Sequence, residues 1–166
     1  MSRNDAETEP NGTAGTAVSS SEHRDYVTMS IGGQLFGIPV LIVHDVLGPQ
    51  RITRIPLAPP EVAGSLNLRG RIVTAIDVRT RLGLERRPAE NPGMSVVVEH
   101  ANESYSLMVD AVGEVLTLPT SEFQRNPPTL DARWRDVSMG IFRLNQELLV
   151  ILDVDRLLDF TRNEAA

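Results

Sequence analysis

The residues able to do chemistry in this chain are few, and histidine comes first because imidazole is both the commonest metal ligand and a proton shuttle near neutrality. Histidines stand at positions 23, 44 and 100. His23 lies in a polar leader, while His44 and His100 fall in or at the end of strand-like runs. None pairs with another at metal-ligand spacing, and no HExxH or HxH occurs. Asp77 and Asp153 occupy matching places, each after an apolar run. Two such carboxylates suit general acid–base work, yet an aspartate between a strand and a short helix is also the usual N-cap. The cap is the reading adopted. Serines 19 to 21 are in the leader, and the chain has no Gly-x-Ser-x-Gly elbow, phosphate-binding Gly-x-x-x-x-Gly-Lys or Gly-x-Gly-x-x-Gly. The chain reads as a non-catalyst without metal or cofactor. The competing reading is a small β-barrel ligand-binding or hydrolytic domain using Asp77 and Asp110.

Two charges sit where apolar residues are expected. Asp45 interrupts Val43, Val46 and Leu47, and Arg69 follows Leu66 and Leu68 on an alternating run. Each is costly to bury alone, and pairing offsets that cost. An Asp45–Arg69 ion pair is therefore expected, the planar guanidinium fork matching a carboxylate. Gly64 and Gly70 beside it are small enough to let a partner's backbone approach closely.

The element that positions these groups is Gly64–Val78. Leu66 and Leu68 alternate with Asn67 and Arg69, the period of two of a half-buried strand. Gly70 marks a turn, and Ile72 to Val78 is apolar on both faces, as in an enclosed strand. The unit returns at Gly140–Val154, 76 positions on (140 − 64 = 76), with Ile76-Asp77-Val78 falling on Leu152-Asp153-Val154. Upstream strands repeat at a shift of 69 (96 − 27 = 69): Val27 and Met29 match Val96 and Val98, and Val43-x-Asp45-Val46-Leu47 matches Val112-x-Glu114-Val115-Leu116. The change of shift implies about seven inserted residues in the second copy, near Asn126-Pro127-Pro128. The chain contains two copies of one β unit.

The chain has 166 residues, 16 basic against 22 acidic, and a net charge of −6. That balance argues against a nucleic-acid groove. It has no cysteine, hence neither disulfides nor thiolate metal sites. No apolar run approaches the ~20 residues of a membrane span, and the N-terminus lacks an apolar signal core. A soluble cytoplasmic protein is expected. Residues 1–24 read as a disordered tail and 161–166 as a short terminal one. The ordered part, 25–160, holds strands at Tyr26–Ile31, Leu35–Ile38 and Ile42–Leu47. An extended segment follows, with one helical turn at Glu61–Ala63, and then the central hairpin and a short helix at Arg79–Leu84. The second copy starts near residue 94, with strands at Met94–His100, Glu103–Val109 and Val112–Leu118, and ends in a short helix at Val154–Phe160. Short strands separated by turn signals indicate an all-β barrel or sandwich class with short helices.

Several segments then fall into one pattern: Tyr26-x-x-x-x-Ile31-Gly32-Gly33, Phe36-Gly37-Ile38, Ile52-Thr53-Arg54-Ile55-Pro56 and Pro59-Pro60-x-x-x-Gly64. Asn67-Leu68-Arg69-Gly70-Arg71-Ile72-Val73, Ile76-Asp77-Val78-Arg79 and Val109-Asp110-Ala111-Val112-x-Glu114-Val115-Leu116 continue it. In this order they resemble the CheW-like domain family over about residues 25–160. The resemblance implies two intertwined, five-stranded SH3-like β-barrel subdomains packed over a shared core, and no enzyme activity. It implies a chemotaxis adaptor joining the cytoplasmic tips of methyl-accepting chemoreceptors to the regulatory domain of a CheA-type histidine kinase, recruited to membrane-associated receptor arrays without inserting into the membrane. Carried onto this sequence, Val43, Asp45, Val46, Gly64, Asn67, Arg69 and Gly70 serve kinase or receptor contact. Val112, Val115 and Leu116 line the receptor groove or belong to the core. The chain departs from the family pattern at Pro39, where an acidic residue is common, at Asp45, where Glu is frequent, and at Gly140-Ile141-Phe142-Arg143. The shorter Asp45 is expected to reach Arg69 less easily.

Overall fold

A computed structural model describes residues 22–160. Ten strands run β1 (His23–Ile31), β2 (Gln34–Pro39), β3 (Val43–Leu47), β4 (Val62–Leu68), β5 (Arg71–Asp77), β6 (Met94–His100), β7 (Glu103–Val109), β8 (Ala111–Pro119), β9 (Ser138–Arg143) and β10 (Leu148–Leu152). Short helices α1 (Val78–Arg81), α2 (Ala132–Arg135) and α3 (Val154–Leu157) join them. The strand expectations hold in place and nearly in length. His23 belongs to β1 rather than to a leader, and Val62 and Ala63 start β4 rather than end a helical turn. The rest of the expected N-terminal tail, and the C-terminal one, lie outside the described residues.

The strands form two five-stranded sheets, ordered β9-β10-β2-β1-β8 and β3-β6-β7-β5-β4. The two are copies of one another. In the second sheet, β5 runs parallel to β7 with Ala75 opposite Ser106. In the first, β10 runs parallel to β2 with Ile151 opposite Gly37, the positions those shifts of 76 and 69 require. Even the bulges correspond, between Val62 and Gly64 in one and Ser138 and Gly140 in the other. The first hairpins are exchanged between the copies. β1–β2 completes the sheet made by β8, β9 and β10, and β6–β7 completes the sheet made by β3, β4 and β5. The copy boundary near residue 94 is thus not a boundary between sheets. Thr53 pairs with Ser65 as Gln124 pairs with Ile141. Five of the inserted residues therefore lie between Gln124 and Gly140 (16 against 11 between Thr53 and Gly64), a stretch containing Asn126-Pro127-Pro128 and α2.

Alternation explains strands that are apolar on both faces, because each face has its own core. On β10, Val150 and Leu152 enter a large cluster shared by both sheets, while Leu149 and Ile151 join Tyr26 and Phe142 in a small cluster of the first sheet alone. Likewise Ile76 of β5 faces the shared core, and Val73 and Ala75 meet Leu66 on the other side. Ile72 is the exception to the enclosed-strand expectation. It is 69% exposed, because it stands two residues past the hairpin turn, where neither core reaches. Both α1 and α3 close the shared core, burying Val78, Leu82, Val154, Leu157 and Leu158. Arg81 of α1 also donates to the carbonyls of Leu157 (2.7 Å) and Arg156 (2.9 Å) on α3.

Candidate protein-interaction site

The sequence-derived site gathers where the two terminal strands of the second sheet, β3 and β4, are brought together. Leu68 pairs with Arg71, leaving Arg69-Gly70 as a two-residue turn with φ of 53° and 84°. Both central residues are left-handed, the geometry that matches the twist of paired strands. The turn is fixed by Asn67, whose Oδ1 accepts the Gly70 N–H at 3.0 Å. Arg69 thus stands on a turn, not on an inward-facing strand, and its side chain is 74% exposed.

From the turn the guanidinium reaches back to β3. Arg69 Nη2 lies 2.9 Å from Asp45 Oδ2, so the expected ion pair forms and the shorter acid reaches. The argument from burial does not hold, since only Asp45, 25% exposed, is sheltered. The pair instead ties the two edge strands of one sheet together. Asp45 sits at a bulge opposite Val97, and its other oxygen accepts the Val46 N–H at 2.9 Å. A carboxylate over an edge-strand amide blunts that edge against further strand pairing. What remains for a partner there is side-chain surface.

That surface comprises Val46, 38% exposed, together with Arg69, Asn67, Gly70 and the neighbouring Ile72. Val43 is half-buried and packs against the shared core. Gly64 needs a correction. It is buried at φ 151°, and a Cβ there would overlap the Thr53 carbonyl, so the backbone it admits is the chain's own. Gly70, by contrast, faces open space. On the opposite sheet, Val112 and Leu116 point into apolar clusters and Val115 is 53% exposed. Sequence reasoning weighed His44 only as a metal ligand and did not bring Arg71 or Glu99 to this site, where His44 and Arg71 line the cleft of the ion pair and Glu99 meets His44. His44 Nε2 lies 3.3 Å from Glu99 Oε1, and Arg71 lines the same cleft of about 200 Å³. No sequence signal pointed to them, because β3 meets β6 only through the exchange of hairpins between the copies.

The carboxylates of the hydrolytic alternative are both engaged. Asp77 Oδ1 accepts the Thr80 N–H at 3.4 Å, and Asp153 does the same for Arg156, so each caps its helix. Asp110 takes a bidentate pair from Arg79, Nε at 2.8 Å and Nη2 at 2.7 Å, and also accepts the Gly32 N–H at 2.8 Å. Those bonds to its ionised form, the Arg79 pair foremost, hold its carboxyl below the ordinary range despite burial. A carboxylate so held is a poor proton acceptor near neutrality. Among the described residues no cluster of three or more His, Asp or Glu is placed to hold a metal ion.

The family model of the CheW-like domain matches residues 25–162. The chain belongs to the CheW-like family. It is 27% identical to a probable chemotaxis protein CheW of Rhizobium etli over 86% of this chain and 92% of that one. It is 32% identical to protein PilI of Pseudomonas aeruginosa over 72% of this chain and 67% of that one. The crystal structure of the scaffolding protein TtCheW from Thermoanaerobacter tengcongensis superposes with a TM-score of 0.71 at 29% identity, covering 79% of this chain and 89% of that one. A CheW-like chain with these relatives is a non-enzymatic chemotaxis scaffold or adaptor. Among the described residues no helix is long and apolar enough to cross a membrane.

Proposed function

We propose that this CheW-like chain couples the cytoplasmic tips of chemoreceptors to the regulatory domain of a CheA-type histidine kinase, at receptor arrays on the cytoplasmic side of the membrane, so that ligand state sets kinase activity. The observation that carries this reading is the edge of the second sheet. There Val46 of β3 and Asn67, Arg69 and Gly70 at the β4–β5 turn are exposed, and the Asp45–Arg69 pair ties β3 to that turn. Val43 supports that surface from beneath, and Gly64 keeps the adjoining loop in place. Val115 gives the other sheet an exposed counterpart, with Val112 and Leu116 supporting it from inside. Having two such edges on one small body is what a coupler requires.

The test is calorimetric titration of the chain with the isolated regulatory domain of a CheA-type kinase and, separately, with a receptor cytoplasmic fragment, both from the same cell. Val46→Glu, Arg69→Ala and Val115→Glu are run alongside, with circular dichroism to check folding. Micromolar or tighter binding, weakened at least tenfold by a folded edge variant, is expected for each partner. Binding to neither partner, or binding indifferent to all three variants, would overturn the assignment.

A further inference from the structure

Away from that edge, the segment between β3 and β4 builds a second concave surface. Its floor is Ile52, Val62, Ala63 and Met108, its wall the proline-rich loop 55–60, and its volume about 660 Å³. That size lies within the usual range of binding clefts. The loop is fixed by two turns, Ala58 N–H to the Ile55 carbonyl at 3.3 Å and Val62 N–H to the Pro59 carbonyl at 2.9 Å.

Two features of this cleft stand out. Leu57 is 103% exposed and held at φ 63°. A left-handed backbone is strained for leucine, and its side chain buries nothing in return. Arg54 and Arg86 line the cleft, and among the described residues neither has an ion-pair or hydrogen-bond partner. Arg79 and Arg87, by contrast, are engaged with Asp110, Arg81 with α3 and Arg133 with Asp131, while Arg51 and Arg71, outside the cleft, also show no partner among the described residues. The one carboxylate lining the cleft, Asp77, is occupied as a helix cap. The cleft is therefore locally cationic on a chain whose net charge is −6.

We propose that this cleft is a docking site for a short acidic, amphipathic segment of a protein partner, distinct from the β3 edge. One or two apolar side chains of the segment would rest on the floor against Leu57, and flanking carboxylates would pair with Arg54 and Arg86. The concavity is what favours a peptide over a lipid surface, because a bilayer meets protrusions and leaves a recessed floor uncovered. Carboxylate pairing supplies orientation and apolar burial most of the affinity, the division usual in groove recognition.

The probe is a fluorescein-labelled peptide, Glu-Glu-Leu-Leu-Glu-Glu-Met-Leu, with a twin carrying Lys at each Glu position. Anisotropy is read with the full chain, and amide chemical shifts are mapped in parallel. Binding in the tens of micromolar, at least tenfold weaker for the Lys twin, is expected, with shifts confined to residues 51–63, Asp77, Arg86 and Met108. Arg54→Glu with Arg86→Glu should weaken binding at least tenfold. Leu57→Gly should weaken it severalfold while unfolding in urea no more easily than the wild type, which separates a contact role from a structural one. No binding at 1 mM peptide, equal binding of the two peptides, or shifts centred elsewhere would overturn the proposal. So would sedimentation of the chain with vesicles of three parts phosphatidylcholine to one part phosphatidylglycerol with no response to peptide, since the loop would then be a membrane contact.

Discussion

Replacing Asp110 with asparagine tests how the two sheets are locked together. Asp110 follows β7, accepts the amide of Gly32 in the β1–β2 turn of the other sheet, and grips Arg79 on α1. Its side chain is 14% exposed and that of Arg79 17%. Breaking a fully buried pair by removing one charge costs roughly 3–5 kcal/mol. Here both groups still touch water and asparagine keeps one acceptor oxygen, so a loss of about 2–3 kcal/mol at pH 7 is expected. With a urea slope of about 1–3 kcal/mol per molar, the unfolding midpoint falls by roughly 1–2 M. The pH dependence carries the sharper information. The folded-state pKa of Asp110 lies below its ordinary 3.8, the Arg79 pair being the largest cause. On acidification the unfolded chain therefore takes up this proton first. The stabilisation is whole above about pH 4 and is lost as pH falls through the folded-state value. Other carboxylates titrate alike in both proteins and cancel in the difference. The gap between wild type and Asp110→Asn should be flat from pH 7 to 5 and narrow towards pH 3. A gap below 0.5 kcal/mol at pH 7, or one unchanged at pH 3, would refute the reasoning.

Two further outcomes follow from the backbone and the topology. Gly64→Ala should destabilise the fold by about 3 kcal/mol or more, because a Cβ would overlap the Thr53 carbonyl, a fixed backbone atom. Gly70→Ala should cost only about 1 kcal/mol, the strain of φ 84° in open space; urea melts of the two variants compare them directly. Because the first hairpins are exchanged, fragments 1–92 and 93–166 should each fail to fold alone and should assemble when mixed. Circular dichroism and gel filtration of each fragment and of the mixture check this, and an independently folded fragment would contradict the pairing.

Much of the architecture was legible because the shifts of 76 and 69 register strands against strands, and a duplicated unit repeats its hydrogen-bond partners along with its apolar positions. The exchange of hairpins was not legible. Identical copies offer β1–β2 and β6–β7 the same partners, and only the connection lengths and the helices α1 and α3 decide between them. The site was partly legible for a related reason. Asp45 and Arg69 were found because charges interrupt apolar runs, yet the alternation through Leu68 hid the start of the turn, so Arg69 was taken as inward. Gly64 was read as room for a partner, since nothing local announces that Thr53 returns to bridge Ser65. Ile72 and Leu57 escaped notice because an exposed apolar residue has the same letter as a buried one.

The divergence of the two copies bears on how the proposed coupler would tell two partners apart. Val46 and Val115 are equivalent, both exposed on edge strands with the same backbone course. Their surroundings differ. Asp45 corresponds to Glu114 and Arg69 to Asn145, so the first edge carries a clamped acid–base pair and the second an acid with no matching cation among the described residues. At the first edge Asp45 and Arg69 neutralise one another and Asp45 holds the Val46 amide, leaving Arg71 as the cation of the cleft without a carboxylate partner among the described residues. At the second, Glu114 is free to repel a partner's carboxylates or to take its cations. A partner selected by one edge is therefore disfavoured at the other by charge alone, as specificity through unlike contacts requires. Exchanging the charges, with Arg69→Asn on one edge and Asn145→Arg on the other, should move the edges toward each other in preference. Partner preferences unaltered by the exchange would place the discrimination elsewhere on the surface.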